Sequence, residues 1–573
     1  MEENTFNVQT LSVKGLLEMG KNKKFVIPEY QRPYSWEEDE VHTLFDDIWH
    51  FSQEKGGSKR DASYFLGSIV SFDNDMHEQE IIDGQQRLTS LYLLLRAIYQ
   101  KLESGDDRNS DESQNFIRKI TPLIWNENAL TGKVNRNDVL LTSRAVDNDR
   151  GNDIFRSILE TGVAKQNAKD NYSQNYKSFL KWYEEKRSNT TWGQAIYDFI
   201  HALLNQVILL RINASSEESA FTIFSTLNDR GRQLDDADIF KAKIYGHFKS
   251  DTEKNSFIKE WGTLEREVME AHLDVHENGL NKLFTYYMFY LRAKNQDKDT
   301  STIAIRKYFL DKDRLFHDNL MNDLRTILNP WKVINANQNI ENEDWDEDRE
   351  IRKILDILSS YPNEFWKYPV VIYYYTYRNN LGFNETFSLF LKHLTVFLLK
   401  KYIDISTLSH IKGDVLNLDV EILKSPTPNF NFKVDMDDEQ LKKGICVPHS
   451  KILEMLLKIY AYAHQDELLP NKWQVEHILP RKWQSNYFTE NDDEVNKHLN
   501  HIGNLTPFEK KLNIQASNGY FGEKKRKWYD KSNIIVTKNL TNIESDNFKI
   551  EEIDKRDKEI CTEIINILKE WER

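Results

Sequence analysis

Apolar and polar positions recur with two different periods along this chain. Up to about residue 250, short apolar runs of strand character alternate with stretches of helical spacing. Lys24 to Ile27 is a brief β-prone run closed by Pro28, and Tyr64 to Phe72 (YFLGSIVSF) reads as a buried strand. Ile81 and Ile82 end another short strand, and Val207 to Ile212 (VILLRI) is a further candidate. Leu88 to Gln100 (LTSLYLLLRAIYQ) predicts a strongly apolar helix. Glu217 to Leu227 predicts a second, and Ala237 to Phe248, entered through Asp235 and Asp236, a third. Strands and helices interleaved in this way are α+β in character.

Between about residues 250 and 440 the pattern turns to amphipathic helix. Its aromatic clusters, such as Phe284, Tyr286, Tyr287, Phe289 and Tyr290, are expected in a core rather than on a base-stacking surface. Ser104 to Gln114 and the acidic stretch Asn335 to Glu350 are polar and aperiodic, as surface insertions are. Lys424 to Phe432 (KSPTPNFNF) carries two prolines and no period and reads as a linker; a helix over Lys451 to His464 then leads into the last segment. The chain thus divides into residues 1–247, a helical middle region 248–449, and 450–573. No internal repeat is visible.

Composition narrows the class. At 573 residues the chain exceeds what one core supports, and 39% hydrophobic with 12% aromatic residues describes a folded protein. A net charge of -14 excludes a uniformly basic nucleic-acid coat but leaves room for local basic surfaces. Cys446 and Cys561 are far apart in sequence and form no CxxC, which argues against a disulfide framework and against a thiolate zinc site. Met1 to Thr10 has no apolar signal core. Apolar runs end early, Leu91 to Leu95 at Arg96 and Val370 to Tyr377 at Arg378, so no membrane partner and a cytoplasmic location are expected.

The last segment carries the sharpest chemistry. Trp473 to Pro480 reads WQVEHILP, His501 to Thr506 HIGNLT and Lys510 to Asn513 KKLN; Ser517-Asn518 and a basic helix from Gly522 to Trp528 follow. Metal-assisted phosphodiester cleavage needs a general base, oxygen ligands for a hard dication and a group that orients the base. Glu476 and His477 are adjacent: their side chains would diverge on a strand and could converge on a turn. The segment Trp473 to Lys531 resembles the HNH, or ββα-metal, nucleases, in particular the nuclease domain of GmrSD-type restriction proteins. The resemblance implies His477 as general base, Glu476 and Asn513 as metal ligands, and Asn504 as the residue that orients the base or braces its loop. The last position holds Asn rather than His. Mg²⁺ or Mn²⁺ is the implied ion. Lys510, Lys511, Lys524, Lys525, Arg526 and Lys527 are candidate phosphate contacts to DNA, with a solvated helix face as the alternative. His498 and His501 flank the site, and either could be a further ligand.

A second constellation lies near the N-terminus. Ile82 to Ser90 (IDGQQRLTS) predicts a strand, a tight turn at Gly84 and a helix start, where backbone amides and a guanidinium favour a phosphate. Pro28 to Trp36 (PEYQRPYSW), Thr226 to Arg232 (TLNDRGR) and Leu234 to Lys241 (LDDADIFK) accompany it. Together these resemble the ParB-like N-terminal domain of GmrSD and SspE defence proteins, over about residues 10 to 247. The resemblance implies a bound nucleotide, GTP or ATP, hydrolysed in some members, with Gln31, Arg32, Asp83, Gln85, Gln86 and Arg87 as candidate ligands. No Walker A lysine loop is present, so a P-loop is excluded.

The expected molecule is therefore an α+β multidomain protein: a ParB-like α/β domain, a helical middle region and a ββα-metal nuclease domain. It would be a metal-dependent DNA endonuclease of a prokaryotic anti-phage, type IV restriction-like system, gated by nucleotide and by DNA modification. An RNA-cleaving abortive-infection effector and a non-catalytic nucleic-acid-binding regulator are the rival readings, and homo-oligomerisation is left open.

Overall fold

The computed structural model describes residues 6–573 apart from 55–61, 129–130, 146–150, 166, 189–193, 229–234, 274–277, 312–313, 406, 431–435 and 484–491. It divides into two compact units, Met1–Thr263 and Leu264–Arg573. The helical region and the motif-rich last segment therefore share one unit instead of forming two.

The first unit is built on a six-stranded mixed sheet. Its strands are β1 (Phe6–Ser12), β2 (Phe25–Ile27), β3 (Tyr64–Asp73), β4 (Gln79–Asp83), β7 (Leu141–Ser143) and β8 (Val207–Ala214), in spatial order β1-β8-β3-β4-β2-β7. A separate two-stranded ribbon joins β5 (Trp125–Glu127) to β6 (Val134–Val139). The expected strands at Tyr64 and Val207 are parallel neighbours, with Tyr64 opposite Val207 and Phe72 opposite Ala214. The helix Gln85–Ser104 is buried on nearly every side, its polar Gln86, Ser90 and Arg96 included, all three hydrogen-bonded inside the unit. Leu88, Leu91, Tyr92 and Leu95 are fully enclosed, within the core shared with the helices Glu38–Gln53, Asn171–Ser188 and Gln194–Asn205.

In the second unit the aromatic-rich helices pack on one another. Phe289 stacks on Tyr368 at a centroid distance of 3.6 Å, and Tyr286 on Trp331 at 5.0 Å. Phe284, Tyr286 and Tyr287 are buried, as their helical spacing requires. One expectation is corrected here. Cys446 and Cys561, 115 residues apart, are paired in a disulfide, because the helices Asp438–Cys446 and Ile550–Trp571 lie side by side with the two Cα atoms at 5.8 Å. Sequence spacing carried no sign of that contact.

The last segment forms an antiparallel ribbon of β9 (Trp473–His477) and β10 (Leu505–Glu509), which runs directly into the helix Lys510–Ala516. Ile478, Phe508, Phe521, Tyr529 and Phe548 form the small core beneath it. No helix among the described residues is long and apolar enough to cross a membrane.

Candidate active site

β9 decides where the adjacent Glu476 and His477 point. Alternate side chains of a strand face opposite ways, and in this register Glu476 lies opposite Thr506 and His477 opposite Leu505. Glu476 turns inward and is 5% exposed. Its Oε1 accepts hydrogen bonds from Lys524 Nζ at 2.6 Å and from the Tyr529 hydroxyl at 3.0 Å. Burial raises the Glu476 carboxyl above its ordinary value, against the pull of Lys524, and lowers the Lys524 ammonium.

His477 turns to the other side and lines a cleft of about 800 Å³ together with Arg481, Asn500, Asn513, Ser517 and Asn518. Its Nε2 lies 3.3 Å from Asn500 Oδ1 and 3.2 Å from Arg481 Nε, which donates to it. A single ring nitrogen cannot donate to Asn500 and accept from Arg481 at once, so the arginine contact selects the ring with its lone pair at Nε2. Burial lowers the His477 pKa to about 4, and the Arg481 and Lys524 cations push the same way. The imidazole is therefore neutral at neutral pH, the state a proton acceptor needs.

The loop after His477 is held by Asn504. Its Oδ1 accepts from Leu479 N at 2.7 Å, and its Nδ2 donates to Leu479 O at 3.0 Å and Leu499 O at 2.8 Å. Fully buried and with both amide protons used, Asn504 braces the loop, one of the two roles expected of it. Gly503 beside it permits a close approach: a Cβ there would sit 2.3 Å from the Ile553 carbonyl. Asn513, on the helix Lys510–Ala516, reaches the cleft wall.

The basic helix Phe521–Lys527 also separates into roles. Lys524 is fully buried, so it is a clamp on β9, donating further to the His477 carbonyl at 3.0 Å, and not a DNA contact. Lys525 donates to the carbonyls of Ile543 at 2.8 Å and Ser545 at 3.0 Å, and it too is committed to the fold. Arg526 and Lys527 remain exposed, paired with Asp546 and Glu523, and Lys510 and Lys511 are exposed as well. Sequence reasoning missed Asn500 and Arg481, which touch His477, and Glu454, a cleft-lining carboxylate from the helix Ser450–His464. Arg481 follows WQVEHILP directly and could have been found by its four-residue distance from His477; Asn500 and Glu454 gave no signal.

In the first unit, Gly84 takes φ +86° between β4 and the helix Gln85–Ser104, the turn the sequence predicted. Two of the candidate ligands are spent on the fold. Gln31 Nε2 donates to the Ile82 carbonyl at 2.9 Å. Gln86 Oε1 accepts from Ser35 N at 2.8 Å and Trp36 N at 3.2 Å, while its Nε2 donates to Pro33 O at 3.1 Å. These bonds tie PEYQRPYSW to DGQQR and correct the assignment of Gln31 and Gln86 as nucleotide contacts. Gln85 is buried, at 6% exposure. Asp83, Arg32 and Arg87 stay partly exposed, close enough that both guanidinium groups oppose the burial that raises the Asp83 carboxyl. Arg87 Nη1 donates to the Ser68 carbonyl at 2.9 Å, which fixes the side chain beside the turn. Of TLNDRGR, residues 229–232 lie outside the described residues.

Comparison with known families decides the relationship. Residues 13–245 match the model of the GmrSD restriction endonuclease N-terminal domain, and residues 435–563 match that of the GmrSD restriction endonucleases C-terminal domain. The chain belongs to the GmrSD restriction endonuclease family. No curated protein matches the sequence. Membership makes the chain a nuclease of a restriction-like system, and the second GmrSD match contains the whole His477 cleft. The first contains both the QRPY and the DGQQR segments.

Proposed function

We propose that this GmrSD protein is a metal-dependent DNA endonuclease of prokaryotic anti-phage defence, acting in the cytoplasm. Its cutting centre is the His477 cleft, and its N-terminal unit gates cutting through a bound nucleotide and through DNA modification. The observation that carries the reading is a neutral imidazole on a polar cleft wall. His477 takes the proton of the attacking water, while Arg481 beside it offers a cation to the scissile phosphate. The ribbon of β9 and β10 with the helix Lys510–Ala516 is read as the ββα-metal core.

Oxygen donors around the cleft suit a hard dication: the Asn513 amide and, from the facing helix, Glu454. Glu476, expected as a ligand, faces the other side of β9 with its Oε1 held by Lys524 and Tyr529, so it would meet such an ion only by giving up that pairing. The ion would supply charge stabilisation to the phosphate as it is attacked. Lys510, Lys511, Arg526 and Lys527 would contact the DNA backbone without reading bases. In the N-terminal unit, read as ParB-like, Arg32, Asp83 and Arg87 are the groups left to meet GTP or ATP. Purified protein incubated with plasmid, modified phage DNA and RNA, with and without Mg²⁺ and nucleotide, tests the whole reading. Metal-dependent DNA cleavage is the expected result, and cleavage of RNA alone would replace it with an RNase.

A further inference from the structure

The second unit holds another cluster, and none of its side chains belongs to the His477 cleft. His498 closes the helix Asp492–His498, His501 leads into the turn Ile502–Asn504, and both meet Asp554 of the helix Ile550–Trp571. One ligand atom from each of the three lies within 4.8 Å of the other two, and the imidazole centroids are 4.6 Å apart.

Hydrogen bonds set both tautomers. His498 Nδ1 lies 2.7 Å from the Glu494 carbonyl oxygen, which can only accept, so Nδ1 carries a proton and the neutral ring has its lone pair at Nε2. His501 Nδ1 lies 2.6 Å from Asp557 Oδ2, so its neutral ring is the same tautomer, and an ion at Nε2 would displace any second proton. Asp557 is itself anchored, its Oδ1 accepting from Gly503 N at 2.6 Å. An imidazole whose second nitrogen is backed by a carbonyl or carboxylate is the arrangement that orients metal-binding histidines. His498 Nε2 is 3.4 Å from Asp554 Oδ1, close to the ligand spacing of about 3.3 Å around a tetrahedral zinc ion.

We propose that His498, His501 and Asp554 form a binding site for a zinc-type dication, separate from the His477 centre. Two imidazole nitrogens and one carboxylate select Zn²⁺ over Mg²⁺ or Ca²⁺, which take mostly oxygen ligands, and water completes the shell. The side chains are 17%, 21% and 51% exposed, so an ion can enter from solvent and the ligands can close on it. The bound ion staples the turn carrying Asn504, the brace of the His477 loop, to the long helix Ile550–Trp571. The alternative occupant of this geometry is a plain ion pair between protonated His498 and Asp554.

The test uses the full chain, stripped with EDTA and dialysed against ZnCl2 in excess Mg²⁺, with metal measured by mass spectrometry. Cobalt replacement then reports the coordination by its visible absorption. Wild type and His477→Ala are expected to hold one equivalent of zinc that the double variant His498→Gln/Asp554→Asn lacks. The single Asp554→Asn, at an exposed position whose folding circular dichroism can verify, should weaken zinc binding at least tenfold. Zinc absent from folded wild type, retained by the double variant, or lost by His477→Ala would overturn the proposal.

Discussion

Lys524 Nζ and Glu476 Oε1 lie 2.6 Å apart, with both side chains out of solvent. Lys524, one of the six residues expected to contact phosphate, is instead the counter-ion of the carboxylate beside His477. Removing one partner of such a pair leaves a buried uncompensated charge, at a cost of about 3–5 kcal/mol. Lys524→Met should therefore lower stability by that order in urea unfolding, and the double variant Lys524→Met/Glu476→Gln should recover most of it. A Lys524→Met protein of wild-type stability, with weakened and less salt-dependent DNA binding, would return Lys524 to the phosphate contacts.

The role proposed for His477 as general base has a pH signature, because its pKa is lowered to about 4. His477→Ala should reduce cleavage by about 10²–10⁴-fold while leaving DNA binding near wild type. With the imidazole titrating at about 4, kcat/KM at pH 5.5 should stay close to its value at pH 7. An ordinary histidine, titrating near 6.5, would have lost about tenfold by then. Stability follows the same direction. As pH falls from the unfolded value of about 6.5 towards 4, the unfolded chain takes up a proton that folded His477 does not, so stability declines across that window. Cleavage rates on plasmid from pH 4.5 to 8, with unfolding measured in the same buffers, check both. An acid limb centred near 6.5 would show that the base is not held as described.

The parts of this molecule that were legible in its sequence are those where local pattern decides the outcome. The strands at Tyr64 and Val207, the buried helix after DGQQR and the turn at Gly84 follow from apolar runs and one glycine. The motif EHILP located the cleft for the same reason. What stayed hidden depends on which way a side chain faces and on contacts distant in sequence. Glu476 and His477 separate because the segment is a strand and not a turn. Gln31 and Gln86 bond to partners 51 and 53 residues away, a pairing no local pattern encodes. Cys446 meets Cys561 only because two helices align.

The proposed metal requirement is tested separately from the base. The candidate ligands of the His477 cleft are hard oxygens, so cleavage should stop in EDTA and return with Mg²⁺ or Mn²⁺. Asn513→Ala should raise the Mg²⁺ concentration needed for half-maximal cleavage about tenfold or more, since an oxygen ligand is lost from a weakly held ion. Full cutting in chelator would remove the ion from the reaction.

The proposed control by the N-terminal unit is tested at Arg87. Its guanidinium is fixed by one bond to the Ser68 carbonyl and stays partly exposed beside Asp83. Burial lowers its pKa, yet an arginine starts so high that it remains charged. If it grips a nucleotide phosphate, Arg87→Ala should weaken GTP or ATP binding by about 1.5–3 kcal/mol, the scale of a hydrogen bond to a charged group. Gln86→Ala is the structural control. It removes bonds to Pro33, Ser35 and Trp36, so it should lower the stability of the first unit and affect nucleotide binding only through that loss. Calorimetry with both nucleotides, beside digestion of plasmid and modified DNA, separates the effects. Nucleotide affinity unchanged in Arg87→Ala would leave DGQQR as a turn that positions the buried helix. Unchanged affinity with lost cleavage would make Arg87 a DNA contact, and gating would then have to be sought in Arg32 and Asp83.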